Sequence, residues 1–213
     1  MMMSSPAGQP DTPPSLAGAV GGPLGMLESA LPAVVFVAVY SLSGSNTNLS
    51  AIVAVGLALV LTVARLVRRE SPRHALSGLV GVAFAAFVAA RSGRAEDFFL
   101  PGLLANAAYA SAFVISIAAH RPLVGIIVGA LDGEGREWRD EPDRMRAFTR
   151  ATWLWAGIFL ARFAVQLPLY LAGAVVALGV AKTAMGIPLF ALGLWLTWAL
   201  VHRHRAPAPA PAT

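Results

Sequence analysis

The sequence has no cysteine and few charged residues, and both absences restrict the kind of protein it encodes. Without cysteine, the 213-residue chain cannot form disulfides, thiolate nucleophiles, cysteine zinc sites or iron–sulfur clusters. Only 13% of its residues are charged and 57% are hydrophobic, whereas ordinary soluble domains are about a quarter charged and about half apolar. The composition therefore indicates an integral membrane protein.

Sequence signatures of enzymes are also missing. The chain contains no G-x-S-x-G elbow, no Walker loop, no G-x-G-x-x-G and no H-E-x-x-H. Its four histidines lie at the ends of apolar stretches, which disfavours a bis-histidine haem inside a helical bundle. We therefore expect a protein that is not an enzyme and has no cofactor.

Six apolar stretches approach the roughly 20 residues needed to cross about 30 Å of hydrocarbon. They are 30–42, 49–67, 75–90, 99–119, 147–172 and 174–201. The first can be lengthened backwards through 24–28, and the short third must cross nearly upright or thin the bilayer. The sequence predicts an all-α polytopic membrane bundle of about six transmembrane helices over residues 28–201.

Two tails and one long connection complete the predicted organisation. Residues 1–27 are rich in Pro and Gly and lack Lys and Arg, which predicts a flexible tail rather than a secretory signal. Residues 202–213 form a basic, then Ala/Pro-rich tail. Between the fourth and fifth spans, 120–131 is apolar but too short to cross, so we expect it to lie at the interface or re-enter. A charged loop continues to residue 146.

The distribution of arginine predicts the orientation. Twelve arginines lie in the connections after the second and fourth stretches and in the tail, namely Arg65, Arg68, Arg69, Arg73, Arg121, Arg136, Arg139, Arg144, Arg146, Arg150, Arg203 and Arg205. The opposite side has only Arg91 and Arg94. Because positive residues favour the cytoplasm, both termini are expected there, in the bacterial cytoplasmic membrane. The net charge of +5 is then a topology signal and not a sign of nucleic-acid binding.

The charged loop has two interpretations. Acids and bases alternate from 132 to 146, which is typical of a solvated loop that pairs with itself. The alternative is a docking surface for a cytoplasmic partner at Arg136, Trp138, Arg139 and Arg144. Interleaved arginines compete for the carboxylates, so no metal site is expected. We expect Trp138, Trp153 and Trp155 to be interfacial anchors.

Two cations, Arg162 and Lys182, lie inside the apolar stretches, and Asn106 and Gln166 fall at a similar depth. We expect no Asp or Glu inside any span, which disfavours coupling to protons or sodium. A layer of Arg, Lys, Asn and Gln without an acid suits an anion, for example a lipid phosphate or a carboxylate. In the structural alternative, Lys182 snorkels and Arg162 donates to carbonyls freed near Pro168 or Pro188, or to Asn106.

Short segments over most of the chain carry a family resemblance. They are Glu28–Phe36, Arg65–Glu70, His120–Leu123, Trp153–Arg162, Val165–Tyr170 and Ala181–Leu189. Together, between about residues 20 and 201, they resemble a bacterial family of multi-pass membrane proteins catalogued as domain of unknown function 3159.

More distantly, the layout is similar to the intracellular septation protein A family. The shared features are the Leu-Pro-x-Val-Val-Phe opening, the basic linker after the second span, the basic-Pro-Leu motif before 123, and a Lys-x-x-Gly step at Lys182 and Gly186. This resemblance implies a role in envelope maintenance or septation through division or wall-synthesis proteins, with no catalytic residues to carry over. The Pro-rich tails, the longer loop and Arg162 depart from that family.

Two functional hypotheses follow. The first is a non-enzymatic membrane scaffold in cell-envelope maintenance or septation, acting through helix contacts and the cytoplasmic loop. The alternative is a small transporter or channel for an anionic or lipid-like solute that uses Arg162 and Lys182. The expected partners are the lipid bilayer, anionic lipid headgroups and membrane division or wall-synthesis proteins, without nucleic acid; the oligomeric state stays open.

Overall fold

The computed structural model describes residues 22–131 and 137–202. In chain order the helices are α1 (Gly22–Leu42), α2 (Thr47–Val67), α3 (Pro72–Ser92), α4 (Leu100–Ala118), α5 (Leu123–Leu131), α6 (Pro142–Leu171), α7 (Val175–Ala184) and α8 (Ile187–His202). Short 3-10 segments cover Ala95–Phe99 and Glu137–Arg139. The predicted all-α class is confirmed. Arg136, most of the N-terminal tail and the C-terminal tail from Arg203 lie outside the described residues.

Five stretches of the described chain are long and apolar enough to cross a membrane. They are Thr47–Val67, Ala75–Ser92, Ala95–Ala118, Pro142–Leu171 and Val175–Val201. The first predicted span corresponds to α1, whose apolar part, Glu28–Leu42, is shorter than the other five. The chain is thus a multi-pass membrane protein with five such spans plus α1, rather than six equivalent spans.

Two span boundaries differ from the expected ones. The third span is slightly longer than expected, since its apolar part, Ala75–Ser92, has 18 residues within the 21-residue helix α3. The helix begins with Pro72 in its first turn, where a missing N–H costs nothing, and ends at Gly93 with φ 73°, a left-handed conformation that favours glycine. The fourth span begins at Ala95 rather than Phe99.

The expectation that no acid lies within a span is wrong. Glu96 and Asp97 belong to the fourth span, and Asp143 lies at the start of α6. Glu28 opens the apolar part of α1. Hydropathy treats every carboxylate as an unpaired charge and so places it outside a span. In the structure each of these four carboxylates accepts a hydrogen bond from another side chain.

The long helices run alternately up and down, which defines two ends of the bundle. The turn end holds the connections α1–α2, α3–α4 and α6–α7; the loop end holds α2–α3 and the α4–α6 connection with α5. At the loop end, Glu28 accepts hydrogen bonds from Arg65 Nε at 2.9 Å and Arg68 at 2.8 Å. The carboxylate raises the pKa of the Arg68 guanidinium above its ordinary value, mainly through this hydrogen bond. Charge pairing therefore joins α1 to the end of α2.

The buried side chains form two separate clusters. The turn-end cluster is centred on Phe36, Phe98, Phe99 and Leu178, with Phe36 and Phe98 stacked at 4.0 Å. The loop-end cluster is centred on Val124, Trp138, Phe148, Trp155 and Ile158. Trp138 and Trp155 are thus core residues and not the expected interfacial anchors, whereas Trp153 is 53% exposed.

Glycine allows the last span to approach its neighbours closely. A Cβ placed on Gly179 would lie 2.5 Å from Val37 Cγ2, and one on Gly193 would lie 2.8 Å from Ile158 Cδ1. Gly78 of α3 has no atom within 4 Å of such a position. Contact of α7 with α1 therefore requires the small residue at position 179, as is common between membrane helices.

We expect Gly179→Ala to lower the free energy of unfolding by about 1–3 kcal/mol, because the added methyl group overlaps Val37 in a packed site. Gly78→Ala is the matched control and should leave stability unchanged or slightly raised, since alanine is the better helix former. Reversible unfolding of the two purified variants in mixed micelles measures the difference. Equal stabilities would contradict the close packing of α7 on α1.

Candidate functional site

The four predicted intramembrane polar residues lie between the two apolar clusters. We call Asn106, Arg162, Gln166 and Lys182 the polar layer. On α4, Asn106 lies between Phe99 of the turn-end cluster and Phe113 of the loop-end cluster. Arg162 and Gln166 on α6 and Lys182 in the last span likewise lie, along the chain, between residues of the turn-end cluster and residues of the loop-end cluster. The polar layer therefore interrupts what would otherwise be one continuous core.

Contacts between α4 and α6 fix the register of this layer. Tyr109 contacts Phe159 with ring centroids 5.1 Å apart, and Tyr170 donates a hydrogen bond to Asp97 at 2.6 Å. Since the helices are antiparallel, Asn106, three residues before Tyr109, lies level with Arg162, three residues after Phe159. Asn106 is 6% exposed and Gln166 only 3%.

Lys182 reaches from α7 into this interior. Its Nζ lies 5.3 Å from the ring centroid of Phe99 and 5.9 Å from that of Phe98, so the ammonium is held by cation–π contacts. A Cβ added to Gly102 would lie 3.8 Å from Nζ, which places the charge beside α4 one turn from Asn106. Lys182 therefore points into the bundle and does not snorkel to the interface.

Some donors of the layer are unsatisfied. Arg162 Nε and Gln166 Nε2 are buried without a hydrogen-bond partner among the described residues. Arg162 is level with Asn106 and Lys182 Nζ lies beside Gly102, one turn from Asn106, so both positive charges lie in the same part of the interior. Buried donors are nearly always paired in native proteins, and the expected pairing of Arg162 with freed carbonyls is not made by its Nε.

The last predicted span is interrupted beside the polar layer. Helix α7 ends at Ala184 and α8 begins at Ile187, with Pro188 in its first turn. A Cβ on Gly186 would lie 2.9 Å from the carbonyl oxygen of Lys182, so glycine is needed at this turn. One unbroken stretch was expected over 174–201, although Gly186 and Pro188, two residues apart, are a known signal for a helix end and a new start.

The carboxylates at the turn end are hydrogen-bonded to residues outside the polar layer. Asp97, 6% exposed, accepts from Tyr170, and Arg94 Nε donates to Glu96 at 2.8 Å. Glu96 raises the pKa of the Arg94 guanidinium, chiefly through that hydrogen bond. The bond from Tyr170 to Asp97 joins the segment before α4 to the end of α6, whereas Arg94 and Glu96 pair within one connection; sequence hydropathy gave no signal for either pair.

The predicted docking segment is partly folded into the loop-end cluster. Trp138 is 1% exposed and packs edge-on against Phe148 at 5.1 Å. A Cβ on Gly125 of α5 would lie 2.7 Å from the Trp138 ring. The 3-10 segment therefore holds α5 against the start of α6.

The predicted docking arginines lie around this aromatic pair. Arg139 stands 5.3 Å from the Trp138 ring and Arg144 stands 5.8 Å from that of Phe148. Arg144 also forms an ion pair with Glu141 at 3.6 Å. The exposed charges of the described part of the segment belong to Asp140, Glu141 and a pair on the first turns of α6, Asp143 and Arg146. The ring of Trp138 has no face free for a partner.

Trp138→Ala should lower the free energy of unfolding by about 3 kcal/mol, because it removes a fully buried indole from the loop-end cluster. Trp153→Ala is the matched control. Trp153 lies on α6 near the same cluster but is largely exposed, so its loss should change stability little. Denaturant titration in mixed micelles, followed by circular dichroism, compares the two. Equal effects would show that Trp138 does not hold the segment.

Comparisons with known proteins give one match. No curated protein and no solved structure matches the chain, and the resemblance to the septation family finds no support in them. The family model described as protein of unknown function (DUF3159) matches residues 20–208. Its match covers every helix described above, so the chain belongs to the DUF3159 family of proteins of unknown function.

Proposed function

We propose that this protein is a non-enzymatic scaffold of the bacterial cytoplasmic membrane, with both termini in the cytoplasm, and that it binds a membrane protein partner through its loop end. The observation that carries the proposal is the burial of Trp138, which anchors the 3-10 segment Glu137–Arg139 beside the start of α6. A fixed segment presents its charges in a constant arrangement, and complementary charges give an interface its specificity.

The docking face is defined by the first turns of α6. The side chains of Asp143 and Arg146 are 73% and 69% exposed, and Glu141 beside them is 58% exposed. A partner with an alternating set of charges fits this face. Envelope maintenance or septation is the proposed setting, and membrane-embedded division or wall-synthesis proteins are the proposed partner class.

A second candidate function is a small transporter or channel for an anionic or lipid-like solute. The observation that favours it is the pair of unpartnered buried donors on Arg162 and Gln166. An inert bundle would be more stable with apolar residues there, because buried donors without partners cost free energy.

The proposed orientation is tested by labelling single cysteines, since the native chain has none. Ser71→Cys and Ser92→Cys flank α3 at its two ends, and both positions are exposed. In intact cells a membrane-impermeant maleimide should label Cys at 92 and not at 71, while both react after the membrane is opened. The reverse pattern would overturn the orientation.

The scaffold proposal is tested by photo-crosslinking from position 146 in growing cells. We expect the crosslinker at 146 to capture a defined membrane protein. In a second experiment the crosslinker is placed at 141, and the charge reversals Asp143→Lys and Arg146→Glu should abolish capture. A crosslinker at Arg91, an exposed arginine at the opposite end, is the control. Absence of any partner at 146, or the same capture at 91, would contradict a docking role.

A further inference from the structure

The polar layer supplies hydrogen-bond donors far in excess of acceptors. A guanidinium carries five N–H groups and an ammonium three, and each amide adds two, whereas the only side-chain acceptors are the oxygens of Asn106 and Gln166. Arg162 Nε and Gln166 Nε2 have no partner among the described residues. The layer is therefore suited to a group that brings acceptors.

The charges of the layer are also unbalanced. Arg162, level with Asn106, and Lys182, beside Gly102 one turn away, are both positive, and like charges in a poorly screened interior repel strongly. Within residues 22–131 and 137–202 neither cation forms an ion pair, and nearby Asp97 and Glu96 are bound to Tyr170 and Arg94. An anion between Arg162 and Lys182 would offset the repulsion.

The backbone around Lys182 lacks a side chain on one side and is irregular on the other. Gly102 places no side chain between α4 and Lys182 Nζ, and α7 ends two residues after Lys182. Interrupted helices beside buried charges form ion and substrate sites in membrane proteins, because irregular backbone is tolerated where it borders a binding cavity.

We propose that Arg162, Gln166 and Lys182, with Asn106, form a binding site for an oxyanion, a phosphate or carboxylate group, between α4, α6 and α7. The guanidinium matches two oxygens of such a group in a planar fork. Gln166 supplies a neutral donor, and Lys182 supplies a second charge from α7. This site does not depend on the scaffold role, because docking at the loop end uses none of its residues.

The experiment measures anion-dependent thermal stabilisation of the full-length protein in neutral detergent, since a ligand that binds only the folded state raises the unfolding midpoint. One arm adds sodium phosphate or sodium acetate, with sodium chloride at equal ionic strength as reference. The other arm adds phosphatidylglycerol to the micelles, with diacylglycerol of the same chains as reference. If phosphate or acetate raises the unfolding midpoint above its reference, the ligand is a soluble oxyanion. If only phosphatidylglycerol raises the midpoint, the ligand is a lipid headgroup.

Substitutions then locate the site. Arg162→Gln and Gln166→Leu should each weaken the stabilising anion at least about tenfold, the loss expected for one hydrogen bond to a charged group. Arg150→Gln, at an exposed arginine three turns away on the same helix, should bind as the native chain does. Gln166→Leu removes a buried NH₂ group that has no partner among the described residues, so without anion it should be as stable as the native chain or more so, which keeps the test valid if Arg162→Gln does not fold.

Two results would overturn the proposal. One is a native protein that neither phosphate, acetate nor phosphatidylglycerol stabilises beyond its reference. The other is equal stabilisation of the native chain, Arg162→Gln and Gln166→Leu, which would place the anion elsewhere.

Discussion

Burial of positive charge without negative charge beside it is the constraint on which this bundle depends. Charged groups inside a bilayer are costly, and here two cations lie between two apolar clusters that pack well without them. The aromatic rings of Phe98 and Phe99 hold Lys182, and Gly102 makes room for it. A bundle optimised only for stability would fill this layer with apolar side chains and form one core.

The acidic residues show how the same problem is solved elsewhere in the chain. Glu28 is shared by Arg65 and Arg68, Asp97 is bound by Tyr170, and Glu96 is bound by Arg94. Glu28 joins α1 to α2 and Asp97 joins the start of the fourth span to α6, whereas Glu96 pairs within its own connection. Carboxylates at the ends thus help to define which helices meet, whereas Arg162 and Lys182 form no ion pair within the described residues, which suits them to binding an anion.

Much of the fold was predictable from the sequence, because hydropathy over 18 residues or more depends little on tertiary contacts. The all-α class and the position of the polar layer follow from apolar stretches and from counting residues along helices. The position of Trp138 did not follow, since a tryptophan in a charged loop has the same sequence signal whether it packs on Phe148 or lies in the interface. Asp97 was excluded from the fourth span for a related reason: its partner, Tyr170, is 73 residues away.

The interruption at Met185 and Gly186 divides the last span into two helical halves that pack on different neighbours. The first half, α7, contacts α1 through Gly179 and Val37, and the second half, α8, contacts α6 through Gly193 and Ile158. Trp155 Nε1, which donates to Thr197 at 3.0 Å, adds a hydrogen bond between α6 and the second half. Because each half has its own close contact, the break at these two residues lets the halves of the span differ in tilt, and Lys182 belongs to the half that contacts α1.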